Sequence, residues 1–310
     1  MSQFAPQDLA AHLKDGLLSF PVTAFDQAGE VDLEKLSEHV AWQASYGVAG
    51  LFAAGGTGEG FSLTPAETRD VVGTAVAASR PGVPVLGSAG GNTRQAVQNA
   101  IDAQDVGAEG ILVLPPYLTE SDQEGLYQHV SAICAATDLG IIVYNRANAH
   151  YAPETVARLA ENHENFIGFK DAHGDIEHLA KVYALNGDRL FYLGGLATAE
   201  TFALPLLQLG LSTYSSAMFN FAPEFALAFY ADVRAQNREA VNEKLNRFVF
   251  PYLEIRDRAN GYGVSIVKAG LKVIGRDNGP VRPPLQDLNE TDLADLGALV
   301  ERAEVAPARR

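Results

Sequence analysis

The feature that most constrains this chain is a repeated alternation. Short β-rich apolar runs, each closing on glycine, proline or a polar residue, are separated by longer stretches with helical spacing. The runs span 17–25 (LLSFPVTAF), 48–54, 83–89, 110–115, 140–145, 166–171, 190–194 and 211–217, eight in all. Between them lie helix-length segments at 32–46, 65–79, 93–106, 121–136, 153–162, 175–185 and 198–209. Several open on a capping residue, as in Leu63-Thr64-Pro65 and Glu120-Ser121-Asp122. Strands apolar on both faces and joined by helices form a parallel sheet covered on both sides. Eight such units predict a closed barrel. The expected class is therefore α/β: a (β/α)8 TIM barrel over residues 1–222 with a C-terminal helical extension over 223–310. The extension carries helices near 238–259 and 262–274, and 306–310 reads as a frayed tail.

Composition narrows the partners. A net charge of −15 and a pI near 4.8 argue against nucleic acid or an anionic membrane. No run approaches the roughly 18 apolar residues of a membrane span, and MSQFAPQDLAAHLKDG lacks the basic-then-apolar order of an export leader. A cytoplasmic enzyme of small molecules is expected. The lone cysteine, Cys134, excludes an internal disulfide or a cysteine metal cage and predicts a packing role.

In a barrel of this kind chemistry sits at the C-terminal ends of the strands. Lys170 closes the sixth run, Phe166-Ile167-Gly168-Phe169-Lys170-Asp171, and alternation places it on the face of Gly168, whose missing side chain leaves room inside the barrel. A lysine held away from water loses its proton more readily and becomes a nucleophilic amine. The plainer reading is an ion pair with Asp171. Tyr144 ends the preceding run, and adjacent strands lie about 4.8 Å apart, so its phenol can face Lys170 and carry protons. A strand tyrosine is otherwise a packing residue. After the second run, the loop Ala54-Gly55-Gly56-Thr57-Gly58-Glu59-Gly60 offers backbone N–H groups and one hydroxyl to an anion such as a carboxylate. An ordinary tight turn is its competing reading.

Taken in order, Phe20-Pro21-Val22-Thr23-Ala24-Phe25, the Gly-Thr-Gly-Glu loop at 56–59, Pro115-Pro116-Tyr117, Tyr144-Asn145 and Gly168-Phe169-Lys170-Asp171 resemble the class I Schiff-base lyases typified by dihydrodipicolinate synthase and N-acetylneuraminate lyase. The resemblance spans nearly the whole chain. It implies that Lys170 forms an imine with a 2-oxo acid without any cofactor or metal, that Tyr144 is the proton shuttle, and that Gly56 and Thr57 hold the substrate carboxylate. It also implies that Tyr117 reaches toward a neighbour's site in a homotetramer built as a dimer of dimers, and that Ser216 lines the pocket. Two departures choose the branch. Gly56-Thr57 stands where the synthase has two threonines, and Ala149 stands where it has a carboxylate-binding arginine. The segments AAGGTGEGFSL, GSAGGNT, LPPYLTESDQEGLY, YNRANA and GFKDAHGDIE are instead similar to the 5-dehydro-4-deoxyglucarate dehydratases, decarboxylating enzymes of sugar-diacid catabolism.

That branch implies a substrate with a second, distal carboxylate. Arg146, on the strand face of Tyr144, is the cationic candidate to meet it, with Asn148 and Ser88 as polar candidates and Gly195 as a residue that opens space. Three other functions compete: a metal-dependent barrel lyase using His173, Glu177 and His178, a non-catalytic ligand sensor, and, within the lyases, an aldolase or a synthase-like condensation. The helix-start spacing of the histidines disfavours the first, and retention of Lys170, Tyr144 and Thr57 disfavours the second.

Overall fold

The computed structural model describes residues 3–306. Eight strands, β1 (Leu18–Ser19), β2 (Gly50–Phe52), β3 (Val85–Ala89), β4 (Gly110–Val113), β5 (Gly140–Asn145), β6 (Phe166–Asp171), β7 (Phe191–Gly194) and β8 (Thr213–Tyr214), pair in sequence order and all in parallel. A parallel bridge from Leu18 to Ser215, with the Ser216 N–H donating to the Leu18 carbonyl at 2.9 Å, joins the first strand to the last and closes the barrel. The intervening helices are α2 (Leu33–Ala44), α3 (Pro65–Ala78), α4 (Thr93–Asp105), α5 (Gln123–Cys134), α6 (Pro153–Asn162), α7 (Ile176–Asn186) and α8 (Glu200–Leu209). Side chains cap several of them, including Asp32, Asp122 and a full capping box of Thr64 with Glu67.

The first strand is much shorter than the apolar run that forms it. Pro21 has no N–H to give, the Val22 N–H donates to Asn220 Oδ1 at 3.0 Å, and the Phe25 N–H donates to the Asn278 carbonyl at 3.1 Å. Residues 20–25 therefore leave the sheet and run along the mouth.

One element has no counterpart in the alternating pattern. Helix α1 (Pro6–Leu13) plugs the N-terminal end of the barrel, its Leu9 and Leu13 packed among inward residues such as Leu86, Leu112 and Ile142. The plug fits because small residues surround it: a Cβ on Gly50 would lie 2.6 Å from a Leu13 methyl, and one on Gly110 would lie 2.9 Å from a Leu9 methyl.

Beyond β8, α9 (Pro223–Arg234) packs against α8 and completes the outer ring of eight helices. A boundary drawn at 222/223 thus assigns the ring's last helix to the extension. The extension continues as α10 (Arg238–Lys244), α11 (Phe250–Arg256), α12 (Tyr262–Val273) and α13 (Glu290–Arg302). The helix expected over 238–259 is split by a π-helical turn at Leu245–Val249, which ends one residue short of Pro251, so that the chain widens ahead of a residue that cannot donate. Of the tail at 306–310, only Ala306 falls within the described residues. No helix among the described residues is long and apolar enough to cross a membrane.

Candidate active site

The register of β5 and β6 sets Tyr144 directly opposite Lys170 and Asn145 opposite Asp171. Alternation sends the first pair into the barrel and the second outward. On the outer side Asn145 Nδ2 donates to Asp171 Oδ1 at 2.6 Å and the Gly174 N–H donates to Asp171 Oδ2 at 2.8 Å, so Asp171 is committed away from the lysine. Among the described residues no carboxylate lies within ion-pair distance of Lys170. Its side chain is only 5% exposed, with Nζ 3.8 Å from the centroid of the Phe20 ring and 4.3 Å from that of Tyr144. Phe20 in turn stacks on Phe52 at 4.7 Å. Burial, seconded by the positive charge of Arg146, lowers the Lys170 pKa to about 7.

The space for this lysine comes from a residue other than the one the strand pattern indicates. A Cβ on Gly168 would meet the Phe191 ring at 2.6 Å, so the room at Gly168 is filled by the packing layer below. A Cβ on Gly195 would lie 2.6 Å from Lys170 Cε and 2.8 Å from its Cγ. Gly195 thus opens space for the lysine, and its carbonyl accepts the Tyr144 hydroxyl at 3.0 Å. Arg146 Nη1 donates to the same phenol oxygen at 3.1 Å. Burial raises the Tyr144 pKa, partly offset by Arg146. The phenol therefore carries a proton at neutral pH, beside a cation that eases its departure.

Over the aromatic pair lies the glycine-rich loop. A Cβ on Gly55 would strike the Phe20 ring at 2.6 Å, so the loop rests on the same ring that faces the amine. The Glu59 N–H donates to the Gly56 carbonyl at 3.1 Å and the Gly60 N–H to the Gly55 carbonyl at 2.9 Å. The N–H groups of Gly56 and Thr57 and the Thr57 hydroxyl donate to no protein acceptor among the described residues, and a Cβ on Gly56 would meet only open space. Free donors on a pinned loop are what a carboxylate requires. The dihydrodipicolinate synthetase family model matches residues 13–303.

The chain belongs to the dihydrodipicolinate synthetase family. A relative from Corynebacterium glutamicum, named a probable 5-dehydro-4-deoxyglucarate dehydratase, is 68% identical over 300 residues, 97% of this chain and 95% of its own. One of the same name from an Arthrobacter species is also 68% identical, over 97% of this chain and 99% of its own. Among solved structures, a dihydrodipicolinate synthase from Acinetobacter baumannii complexed with pyruvate is 28% identical, with a TM-score of 0.82 over 94% of this chain and 99% of that one.

Within this family frame the remaining candidates fall in different places. Arg146 is exposed at the mouth, on a turn closed by reciprocal bonds with Ala149 at 3.1 and 3.0 Å. Ala149 is fully buried. Asn148 spends its amide on the carbonyls of Pro116 (2.8 Å) and Thr119, holding the loop that carries Tyr117. Tyr117 itself is 78% exposed. Ser88 is buried, and its hydroxyl donates to the Ala53 carbonyl at 3.1 Å beneath the glycine loop.

Ser216 is turned away from the lumen. Inward Leu193 pairs with Thr213, and inward Leu18 bridges to Ser215, so the pleat sends Ser216 outward, where its buried hydroxyl donates to the Glu200 carboxylate. Half-buried Ser215 is the residue that faces in. Tyr214, which packs outward on Tyr230 of α9, fixes the alternation that turns Ser215 inward. Glu200, a fully enclosed acid whose pKa is raised by burial, has no signal in the local sequence pattern. His173 and His178 pack with His150 at 4.5 and 4.8 Å on the rim between β5 and β6, and the described residues hold no three-ligand metal cluster.

Proposed function

We propose that this chain is a Schiff-base hydro-lyase that dehydrates and decarboxylates 5-dehydro-4-deoxyglucarate to 2,5-dioxopentanoate, with no cofactor. The observation that carries the proposal is the buried amine of Lys170, unpaired with any acid among the described residues and directly opposite the Tyr144 phenol. The names of relatives that cover nearly the whole chain supply the substrate.

The free amine of Lys170 attacks the C5 ketone, and Tyr144 relays protons as the carbinolamine loses water to give the iminium. The iminium acidifies C4; loss of that proton gives an enamine, which expels the C3 hydroxyl as water. The resulting conjugated iminium draws electrons from the C1–C2 bond, and C1 leaves as CO2. What remains is an enamine conjugated to an enol: a proton added at C3 turns the enol into the aldehyde, a proton returned to C4 restores the iminium, and its hydrolysis by water frees the product and the lysine. The C6 carboxylate, next to the ketone, binds the N–H groups of Gly56 and Thr57 and the Thr57 hydroxyl. Arg146 meets the departing C1 carboxylate, and Ser215 replaces Ser216 as the pocket serine.

We further propose a cytoplasmic homo-oligomer, a dimer of dimers. Two separate exposed apolar patches support it: Tyr117 and Leu118 on the loop after β4, and Ile176 with Phe202 on α7 and α8, exposed by 64% and 45%.

The test is to incubate the purified protein with the diacid and measure CO2 and 2,5-dioxopentanoate, with borohydride present in a parallel reaction. Both products are expected, together with an adduct on Lys170 that Lys170→Ala abolishes; Tyr144→Phe is expected to slow turnover while labelling persists. Pyruvate without CO2 would reassign the chain as an aldolase.

A further inference from the structure

Glu59 sits between two glycines in the left-handed region, at φ 53°. A side chain there is strained in a way that a third glycine would avoid. The flanking positions admit nothing larger, since a Cβ on Gly60 would lie 2.0 Å from the Ala54 carbonyl oxygen and one on Gly58 would lie 2.9 Å from that of Pro21. The glutamate is fully buried and points away from the loop's free donors into the C-terminal extension. There Oε1 pairs with Lys268 Nζ of α12 at 2.9 Å, itself almost wholly buried, and Oε2 accepts the Arg282 N–H at 3.0 Å. Lys268 also donates to the Pro280 carbonyl at 2.7 Å. The Arg282 side chain extends the mooring, with Nε on the Gly29 carbonyl at 2.7 Å, Nη1 on the Ser62 carbonyl at 2.8 Å and both Nη atoms on Glu67.

A buried ion pair adds little net stability over apolar packing of the same shape. Its value here lies in direction. The Glu59 N–H closes the loop onto the Gly56 carbonyl, so displacing Glu59 turns the peptide plane that carries the Thr57 N–H. We infer that Glu59, held by Lys268 and the Arg282 backbone, is the positioning residue that aims the Gly56 and Thr57 N–H groups at the substrate carboxylate, making the C-terminal extension a working part of the active site. The inference rests on the carboxylate reading of that loop.

The experiment compares half-saturation of borohydride trapping on Lys170 by pyruvate and by its neutral amide, pyruvamide, in the full-length wild type, Glu59→Gln, Lys268→Met and Lys268→Arg. The wild type is expected to prefer pyruvate. Glu59→Gln and Lys268→Met are both expected to lose that preference by about tenfold, with the pyruvamide value changed less than about twofold, while Lys268→Arg retains it. A wild type that does not discriminate overturns the carboxylate reading itself. A discriminating wild type whose variants discriminate equally overturns only the role of Glu59, as does equal weakening toward both ligands. Opposite effects in Glu59→Gln and Lys268→Met also overturn it, because they would report the field of an unpaired charge. If Glu59→Gln fails to fold, Lys268→Met against Lys268→Arg carries the same comparison.

Discussion

Replacing Gly195 by alanine tests how the barrel makes its amine available. The added methyl would lie 2.6 Å from Lys170 Cε, 2.8 Å from Cγ and 2.9 Å from the Asp171 carbonyl oxygen, all well inside the roughly 3.5–4.0 Å of an ordinary contact. The carbonyl oxygen belongs to a strand whose pairing fixes it, and the Gly195 N–H already donates to it at 2.7 Å, so the lysine is what must yield. Overpacking of this kind costs about 1–3 kcal/mol. If that cost falls on the reactive rotamer, the rate falls by about fivefold to 150-fold. The Gly195 carbonyl also accepts the Tyr144 hydroxyl, so a shifted backbone degrades both partners together. The assay is the initial rate of adduct formation at saturating pyruvate under borohydride, with circular dichroism to confirm the fold. Gly263→Ala, on the exposed first turn of α12 and with nothing within 4 Å of the added methyl, serves as the control and should keep the wild-type rate. A Gly195→Ala protein that labels within about twofold of wild type would refute the argument, since no such overlap could then exist in the working enzyme.

Three further outcomes follow from charge and packing. With the Lys170 pKa lowered to about 7, the amine is protonated and inert below that pH and free above it, so the labelling rate should rise through neutrality and level off in mild alkali. Arg146→Gln removes one of the two causes of that lowering and should move the midpoint upward; an unchanged or lower midpoint contradicts the assignment. Leu9→Ala should destabilise the fold by about 2–5 kcal/mol, read from denaturant midpoints, because the barrel plug loses a wholly buried side chain. Activity per folded molecule should stay near normal, and a midpoint unchanged by the mutation would show that α1 does not hold the barrel floor.

The pairing of Tyr144 with Lys170 is legible in the sequence for a simple reason. The two residues close consecutive strands of a parallel sheet, so the local rule that sequential strands are neighbours brings them together, and the register places them opposite each other. The same rule misses Ser215, because β8 is only two residues long and its pleat is set by partners on both sides. It also misdirects the role of Gly168, whose vacancy is filled by a ring from β7. Asn148, a polar residue at the mouth, has its amide committed to the loop after β4, a contact across two connections of irregular shape.

What the sequence determined by itself is whatever depends on near neighbours: the alternation that makes strands and helices, their number and order, the inward face of β5 and β6, and the chemical types at their ends. Tertiary structure alone decided the plug made by α1, the glycine that yields space to Lys170, the outward turn of Ser216, and the tie from Glu59 to Lys268 and Arg282. The physical reason is range. A periodic pattern is written in adjacent residues and survives any arrangement of the loops, whereas these contacts join segments far apart in the chain, and their partners exist only once the barrel has closed.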